Sequence, residues 1–174
     1  IFDDVRNFGQ FRAYDSLQEV LQYKSIKKLG PDGLKTPFNC NLFLKMLEKK
    51  RYHFKQIGQV LLDQQLVAGV GNIYKSEILF FAKIDPRRQV DKLTDAERKK
   101  LCVSISTILQ KAVNCNGSTF NIQPYKTPTG ETGDAQNWHR VYGREEAKCF
   151  ECNQKIKRIK QDKRSTFFCS TCQK

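Results

Sequence analysis

The chain has 174 residues, 39% of them apolar, and 31 Lys or Arg against 18 Asp or Glu give it a formal charge of +13 at pH 7. This is enough apolar material for one core with a small appended module. The absence of a long apolar run or a charged-then-apolar leader argues against a membrane span or secretory signal. The charge favours a polyanion over lipid, since no long basic amphipathic helix with an exposed apolar face stands out.

Charge is unevenly placed. Residues 148–174 hold eight Lys or Arg against two acids, a net +6 of the total +13. A sequence that opens on Ile1 rather than Met is expected to continue a longer polypeptide. Seven cysteines, an odd number with no leader, point to a reducing interior where thiols stay free or bind metal. The expected location is therefore intracellular, whether cytoplasmic, nuclear or viral. Cys40, Cys102 and Cys115 are scattered through apolar, helix-like stretches and are expected in the core.

In chain order, Ile1 to Tyr14 alternates aromatic and polar residues around Gly9, which predicts strand, turn and strand at a sheet edge. Leu29-Gly30-Pro31-Asp32-Gly33 is a turn signal that separates this segment from the next. From Asn39 the spacing becomes helical, with Leu42, Phe43, Met46 and Leu47 on one face and Lys45, Glu48, Lys49 and Lys50 on another. A second helix is predicted from about Phe54 to Leu62. Gly69-Val70-Gly71-Asn72 breaks the pattern, Ile73, Ile78, Leu79 and Phe80 resume it, and Pro86 ends that helix. Thr94-Asp95-Ala96-Glu97 is a capping box for the longest helix; Leu101, Ile105, Ile108, Leu109 and Val113 form its buried stripe, and Gly117 closes it. Residues 118–134, rich in Thr, Gly, Asn and Pro, read as a mobile surface loop.

Two constellations carry chemistry. Cys149-x-x-Cys152 and Cys169-x-x-Cys172, sixteen residues apart, fit two knuckles that give four thiolates to a tetrahedral zinc ion. Four cysteines close the coordination shell, so the metal is expected to be structural. Between the knuckles, Ile156 and Ile159 sit on a basic stretch followed by Thr166, Phe167 and Phe168, which predicts two antiparallel strands joined at Gln161-Asp162-Lys163. Such a hairpin is too small to hold itself together, so the metal is expected to hold it while Lys157, Arg158, Lys160, Lys163 and Arg164 face a partner. The second constellation is Gly69-Val70-Gly71-Asn72 ahead of a helix, where glycines admit a close backbone and the free amides of the first turn can donate to phosphate. The same pattern occurs as plain packing. His53 and His139 have no partner at ligand or triad spacing and read as ordinary surface or core histidines.

The run from Leu62 to Tyr74 resembles the helix–two-turn–helix element of the formamidopyrimidine-DNA glycosylase and endonuclease VIII family. Val141-Tyr142-Gly143-Arg144 before Cys149, and Arg164-Ser165-Thr166-Phe167-Phe168-Cys169 through Gln173, resemble that family's zinc finger, and the motifs keep the family's order from Asp3 to Gln173. Val90 to Glu97 is similar to the Nei-like branch, whereas Val141 to Arg144 fits the formamidopyrimidine branch as well.

The resemblance implies a mainly α fold: a remnant of an N-terminal β-sandwich and linker over 1–30, a helix–two-turn–helix domain over 31–137, and a zinc-finger β-hairpin over 138–174. It implies that Asn72, with Gly71 beside it, binds phosphate, and that Arg164, assisted by Lys160 and Lys163, clasps the backbone around a lesion. It further implies that Arg6 and Phe8 fill the gap left by a flipped base, an aromatic wedge offsetting part of the unstacking cost. The activity implied is excision of oxidised bases with lyase cleavage, by a monomer acting on damaged duplex or single-stranded DNA, with zinc as the structural metal. The family's nucleophile is an N-terminal amine followed by glutamate. Ile1 matches no part of that motif, and Lys75 and the two histidines do not replace it. Two other readings stay open: a zinc-finger DNA-binding module without catalysis, and a zinc-ribbon nucleic-acid-binding factor.

Overall fold

The computed structural model describes residues 9–118, 130 and 132–174. Residues 9–14 form no strand, and residues 1–8 lie outside the described residues. The reading of strand, turn and strand therefore fails where it can be judged, because alternation makes a strand only with a partner ladder. Two short helices follow instead, α1 (Leu17–Gln22) and α2 (Lys24–Lys27). Ser16 caps α1 by accepting from the Glu19 amide at 3.3 Å.

The turn at residues 30–33 is docked rather than free. Gly30 N–H donates to the Gln64 carbonyl at 2.8 Å, Asp32 bridges to Ala68, and a Cβ on Gly30 would lie 2.5 Å from the Leu66 carbonyl oxygen. Helix α3 (Cys40–Leu47) begins on Asn39, whose side chain accepts from the Leu42 amide at 2.9 Å. Phe43 and Leu47 are buried, but Leu42 is exposed, so the apolar face is narrower than its spacing implies. The second predicted helix is reduced to a single turn of α helix, α4 (Ile57–Val60), with Phe54 exposed ahead of it, after a 3-10 turn at Lys50–Tyr52.

Helix α5 (Asn72–Ala82) stops at Lys83, which takes a left-handed conformation (φ 64°) three residues before Pro86. Helix α6 (Asp95–Asn114) starts with the predicted reciprocal capping box of Thr94 and Glu97 and ends just before Asn116 and Gly117, both at positive φ. Its buried stripe holds Leu101, Ile105, Ile108 and Leu109, whereas Val113 is half exposed. Helices α3, α5 and α6 enclose one core with Ile57, Leu61, Leu66, Val67 and Val70.

Cys40 and Cys102 join α3 to α6 by a disulfide, with Cα atoms 5.8 Å apart. This corrects the expectation that the scattered thiols stay free. Cys102 is buried and Cys40 half-buried; Cys115 is free and half-buried just beyond α6. Of the predicted surface loop, residues 119–129 and 131 lie outside the described residues; its ends meet in a bridge between Ser118 and Asp134.

Near the C-terminal end lies a two-stranded antiparallel hairpin, β1 (Lys157–Gln161) and β2 (Arg164–Phe168), paired from Lys157–Phe168 to Gln161–Arg164. Asp162 and Lys163 at its tip both have positive φ, the requirement of a two-residue turn that matches strand twist. A second, smaller core of Phe80, Val141, Cys149, Ile156, Phe167 and Cys169 lies beneath it. No helix among the described residues is long and apolar enough to cross a membrane.

Candidate nucleic-acid interface and metal centre

The two turns between α4 and α5 are held by their own side chains. Asp63 accepts from the Gln65 amide at 2.9 Å and from the Tyr52 hydroxyl at 2.7 Å. Gln64 accepts from Gly69 N–H at 3.0 Å and donates to the Val70 carbonyl at 2.9 Å. Gly69 has φ +92°, where a side chain would be strained. Gly71 then stands at the N-cap of α5 with extended backbone, no side chain caps the helix, and a Cβ there would meet nothing within 4 Å. The uncapped first turn of an eleven-residue helix thus opens onto free space, a setting in which backbone N–H groups can receive an anion.

Strand β2 lies against that opening. Asn72 Nδ2 donates to the Ser165 carbonyl at 2.9 Å, Lys75 Nζ donates to Thr166 Oγ1 at 2.6 Å, and Phe167 N–H donates to Ser76 Oγ at 3.4 Å. Asn72, Lys75 and Ser76 fall at i, i+3 and i+4, so one face of α5 reads three successive residues of β2. The hairpin tip is fixed from α4: buried Gln161 donates to Gln56 Oε1 at 2.6 Å and to the Pro86 carbonyl at 3.0 Å, and Gln59 donates to Asp162 at 2.8 Å. The finger and the helical element are therefore one joined surface.

At the far end of the hairpin, the Sγ atoms of Cys149, Cys152, Cys169 and Cys172 all lie within 4.8 Å of one another. The Cys149–Cys172 and Cys152–Cys169 pairs are 3.9 and 3.4 Å apart. A tetrahedral ion with Zn–S bonds of about 2.3 Å sets its sulfurs roughly 3.8 Å apart, so the cluster fits zinc in both donor type and spacing. Each knuckle is braced. Cys149 N–H donates to the Gln154 carbonyl at 2.8 Å; the buried Gln173 side chain accepts from Cys169 N–H at 2.9 Å and donates to the Ile84 carbonyl at 2.8 Å. With four thiolates the shell is closed, and the zinc is structural.

Among the predicted contact residues, Lys157, Lys160, Lys163 and Arg164 are exposed, and no described carboxylate forms an ion pair with them. Arg158 differs, since it pairs with Glu145 at 3.0 Å. Arg164 opens β2 directly beside Ser165, whose carbonyl Asn72 holds, so the structure brings Gly71, Asn72 and Arg164 to one place. Lys160 lies opposite Ser165 on β1, and Lys163 is in the turn. Arg6 and Phe8 lie outside the described residues.

Three buried polar residues have roles that the sequence does not reveal. Lys75 is fully buried between Asn72 and Thr166. Glu77 is also buried, and its carboxylate accepts from the amides of Arg140, Val141 and Tyr142 at 2.8, 3.0 and 2.8 Å. Desolvation pushes its pKa up, and the three N–H donors pull against that rise. His139 is a core histidine, 3.1 Å from Ser118 Oγ through Nε2 and edge-on to Trp138 and Tyr142. Burial pushes its pKa down to about 4. The available signal for Glu77 and Lys75 is their spacing from Asn72, but their partners arrive from more than sixty residues away.

Comparison with known proteins agrees with this geometry. Residues 29–124 match the model of the formamidopyrimidine-DNA glycosylase H2TH domain, and residues 148–174 match the zinc finger found in FPG and IleRS. A formamidopyrimidine-DNA glycosylase of Listeria monocytogenes is 40% identical over 173 residues, covering 99% of this chain and 61% of the relative. The enzyme of that name from Mycoplasma genitalium is 35% identical over 173 residues, covering 99% and 58%. The chain thus spans about three-fifths of the length of these curated relatives. Among solved structures, the Lactococcus lactis Fpg in complex with abasic-site DNA superposes with a TM-score of 0.79 at 40% identity, over 90% of this chain and 56% of that one. The MutM (Fpg) protein of Thermus thermophilus gives 0.79 at 38% identity, over 87% and 57%. These relatives carry the formamidopyrimidine name rather than the Nei-like one. The helical element and the finger match in order and in space, and the chain belongs to the formamidopyrimidine-DNA glycosylase family.

Proposed function

We propose that this chain is the DNA-holding part of a base-excision glycosylase with AP-lyase activity toward oxidised bases, acting as a monomer on damaged DNA. One observation carries the reading: Asn72, at the open start of α5, is bonded to the backbone beside Arg164, so two phosphate-binding groups form one clamp on a strongly basic surface. Gly71 leaves room for the strand, and Lys160 and Lys163 add unpaired charge on the hairpin. We read residues 31–137 as the helix–two-turn–helix domain, 138–174 as the finger, and 1–30 as the remnant of a β-sandwich and linker, with Arg6 and Phe8 as the wedge.

The clamp performs no chemistry. The closed four-cysteine shell leaves the zinc no position for water, and Lys75 has its ammonium engaged in the interior. By resemblance to the family, the attacking amine is taken to be the N-terminus of the whole protein, where a low amine pKa leaves free base to attack a sugar carbon and form a Schiff base. Borohydride trapping of the full-length protein on an abasic-site oligonucleotide tests this. A covalent adduct is expected; specific binding without an adduct favours the non-catalytic module, and no preference for abasic or oxidised sites favours the zinc-ribbon factor.

A further inference from the structure

Lys75 is the fourth residue of α5 and is fully buried, yet no described carboxylate forms an ion pair with it. Its surroundings work against a positive charge. Burial and the Arg164 guanidinium push its pKa down to about 8, with the Asp162 carboxylate opposing. The first turn of a helix also presents the positive end of the dipole. A buried cation beside a guanidinium costs the free protein stability, a cost that a bound anion would offset.

What the ammonium touches explains its place. It donates to Asn72 Oδ1 at 2.9 Å and to the buried Thr166 hydroxyl at 2.6 Å. An ammonium has only donors, so it takes the oxygen of the Asn72 amide and turns Nδ2 away from itself. One Nδ2 hydrogen goes to the Ser165 carbonyl at 2.9 Å, which leaves the second for a phosphate oxygen. The same ammonium, through Thr166, seats β2 two residues from Arg164.

We propose that Lys75 is the positioning residue of the backbone clamp: it fixes which end of the Asn72 amide meets the DNA and sets β2 so that Asn72 and Arg164 engage phosphates together. The proposal rests on the DNA-binding reading above.

The test uses the full-length protein and a duplex carrying a tetrahydrofuran abasic analogue, with affinity measured against salt and with zinc content and melting temperature measured in parallel. Lys75→Met keeps the volume and removes every donor. It is expected to bind at least tenfold more weakly while retaining one zinc per chain, a loss out of proportion to any change in melting temperature, because removing the buried charge offsets the two hydrogen bonds lost. A merely structural role predicts instead that affinity falls in step with melting temperature. Asn72→Ala placed on Lys75→Met is expected to cost less than threefold more, since Lys75 acts through Asn72. Lys75→Gln, which can still donate to both partners, is expected to recover part of the affinity, and it serves as the test if Lys75→Met does not fold. Wild-type affinity in Lys75→Met, additive losses in the double variant, or no recovery in Lys75→Gln overturns the proposal. If the wild type itself fails to prefer the abasic duplex, the DNA-binding reading falls and takes this one with it.

Discussion

Gln59 and Asp162 stand 103 residues apart in sequence, and a 2.8 Å hydrogen bond from the Gln59 amide to the Asp162 carboxylate joins them. With Gln161 bonded to Gln56 and Pro86, it fixes the tip of the hairpin to the short helix α4. Gln59→Ala is expected to lower stability by about 1 kcal/mol, since the bond is exposed, but to raise hydrogen exchange at Asp162 and Lys163 more than elsewhere. Uniform exchange across the hairpin in that variant would count against the anchor.

Cys169 is a buried member of the four-sulfur cluster. Cys169→Ser is expected to abolish stoichiometric zinc and disorder β1 and β2, because a hairpin of two five-residue strands is marginal without its metal. Metal analysis that returns one zinc per chain for this variant sinks the four-cysteine assignment. A strong chelator should produce the same loss in the unmodified protein.

Arg164 is exposed beside the Asn72 contact and has no ion-pair partner among the described residues. Arg164→Ala is expected to weaken DNA binding by about 1–3 kcal/mol, the range of a charge-assisted hydrogen bond, and to flatten the dependence of affinity on salt. Unchanged affinity and slope remove Arg164 from the contact surface.

His139 should make the protein acid-labile. Its folded pKa is near 4 against 6.5 for an ordinary histidine, so between those values the unfolded chain binds more protons. Stability then falls as pH drops from about 6.5 toward 4, by up to roughly 3 kcal/mol from this group. Denaturant melts of the wild type and of His139→Leu across that window check it, the difference between the two curves shrinking as pH falls.

Glu77 supports the approach to the finger by accepting three consecutive amides. Glu77→Ala strands those donors in the interior and is expected to cost about 2–4 kcal/mol, with Glu77→Gln intermediate because one oxygen remains. A chemical-denaturation difference below about 1 kcal/mol for Glu77→Ala would show that the segment at 140–142 finds other acceptors.

The elements legible in the sequence are those with local causes. Thr94 and Glu97 cap α6 within one turn, Asn39 caps α3, and the spacing of the four cysteines defines the metal site. Helix α1 carries the same kind of signal, Ser16 with Glu19 three residues on, but the aromatic alternation just before it masks the change of period. Leu42 and Val113 fit the apolar spacing and still face solvent, because the neighbouring helices cover only part of each face. The site is legible residue by residue and not as an assembly: Asn72 and Arg164 can each be named, whereas the Lys75 link exists only after β2 folds back onto α5.

The bridge between Ser118 and Asp134 closes the segment between α6 and the finger with its two ends side by side. Beside it, Asp134 N–H donates to the Cys115 carbonyl at 2.8 Å and Ala135 N–H to the Gly117 carbonyl at 2.9 Å. The end of α6 is therefore stitched directly to the stretch that leads into the finger, so the helix and the finger share one orientation instead of hanging from a tether.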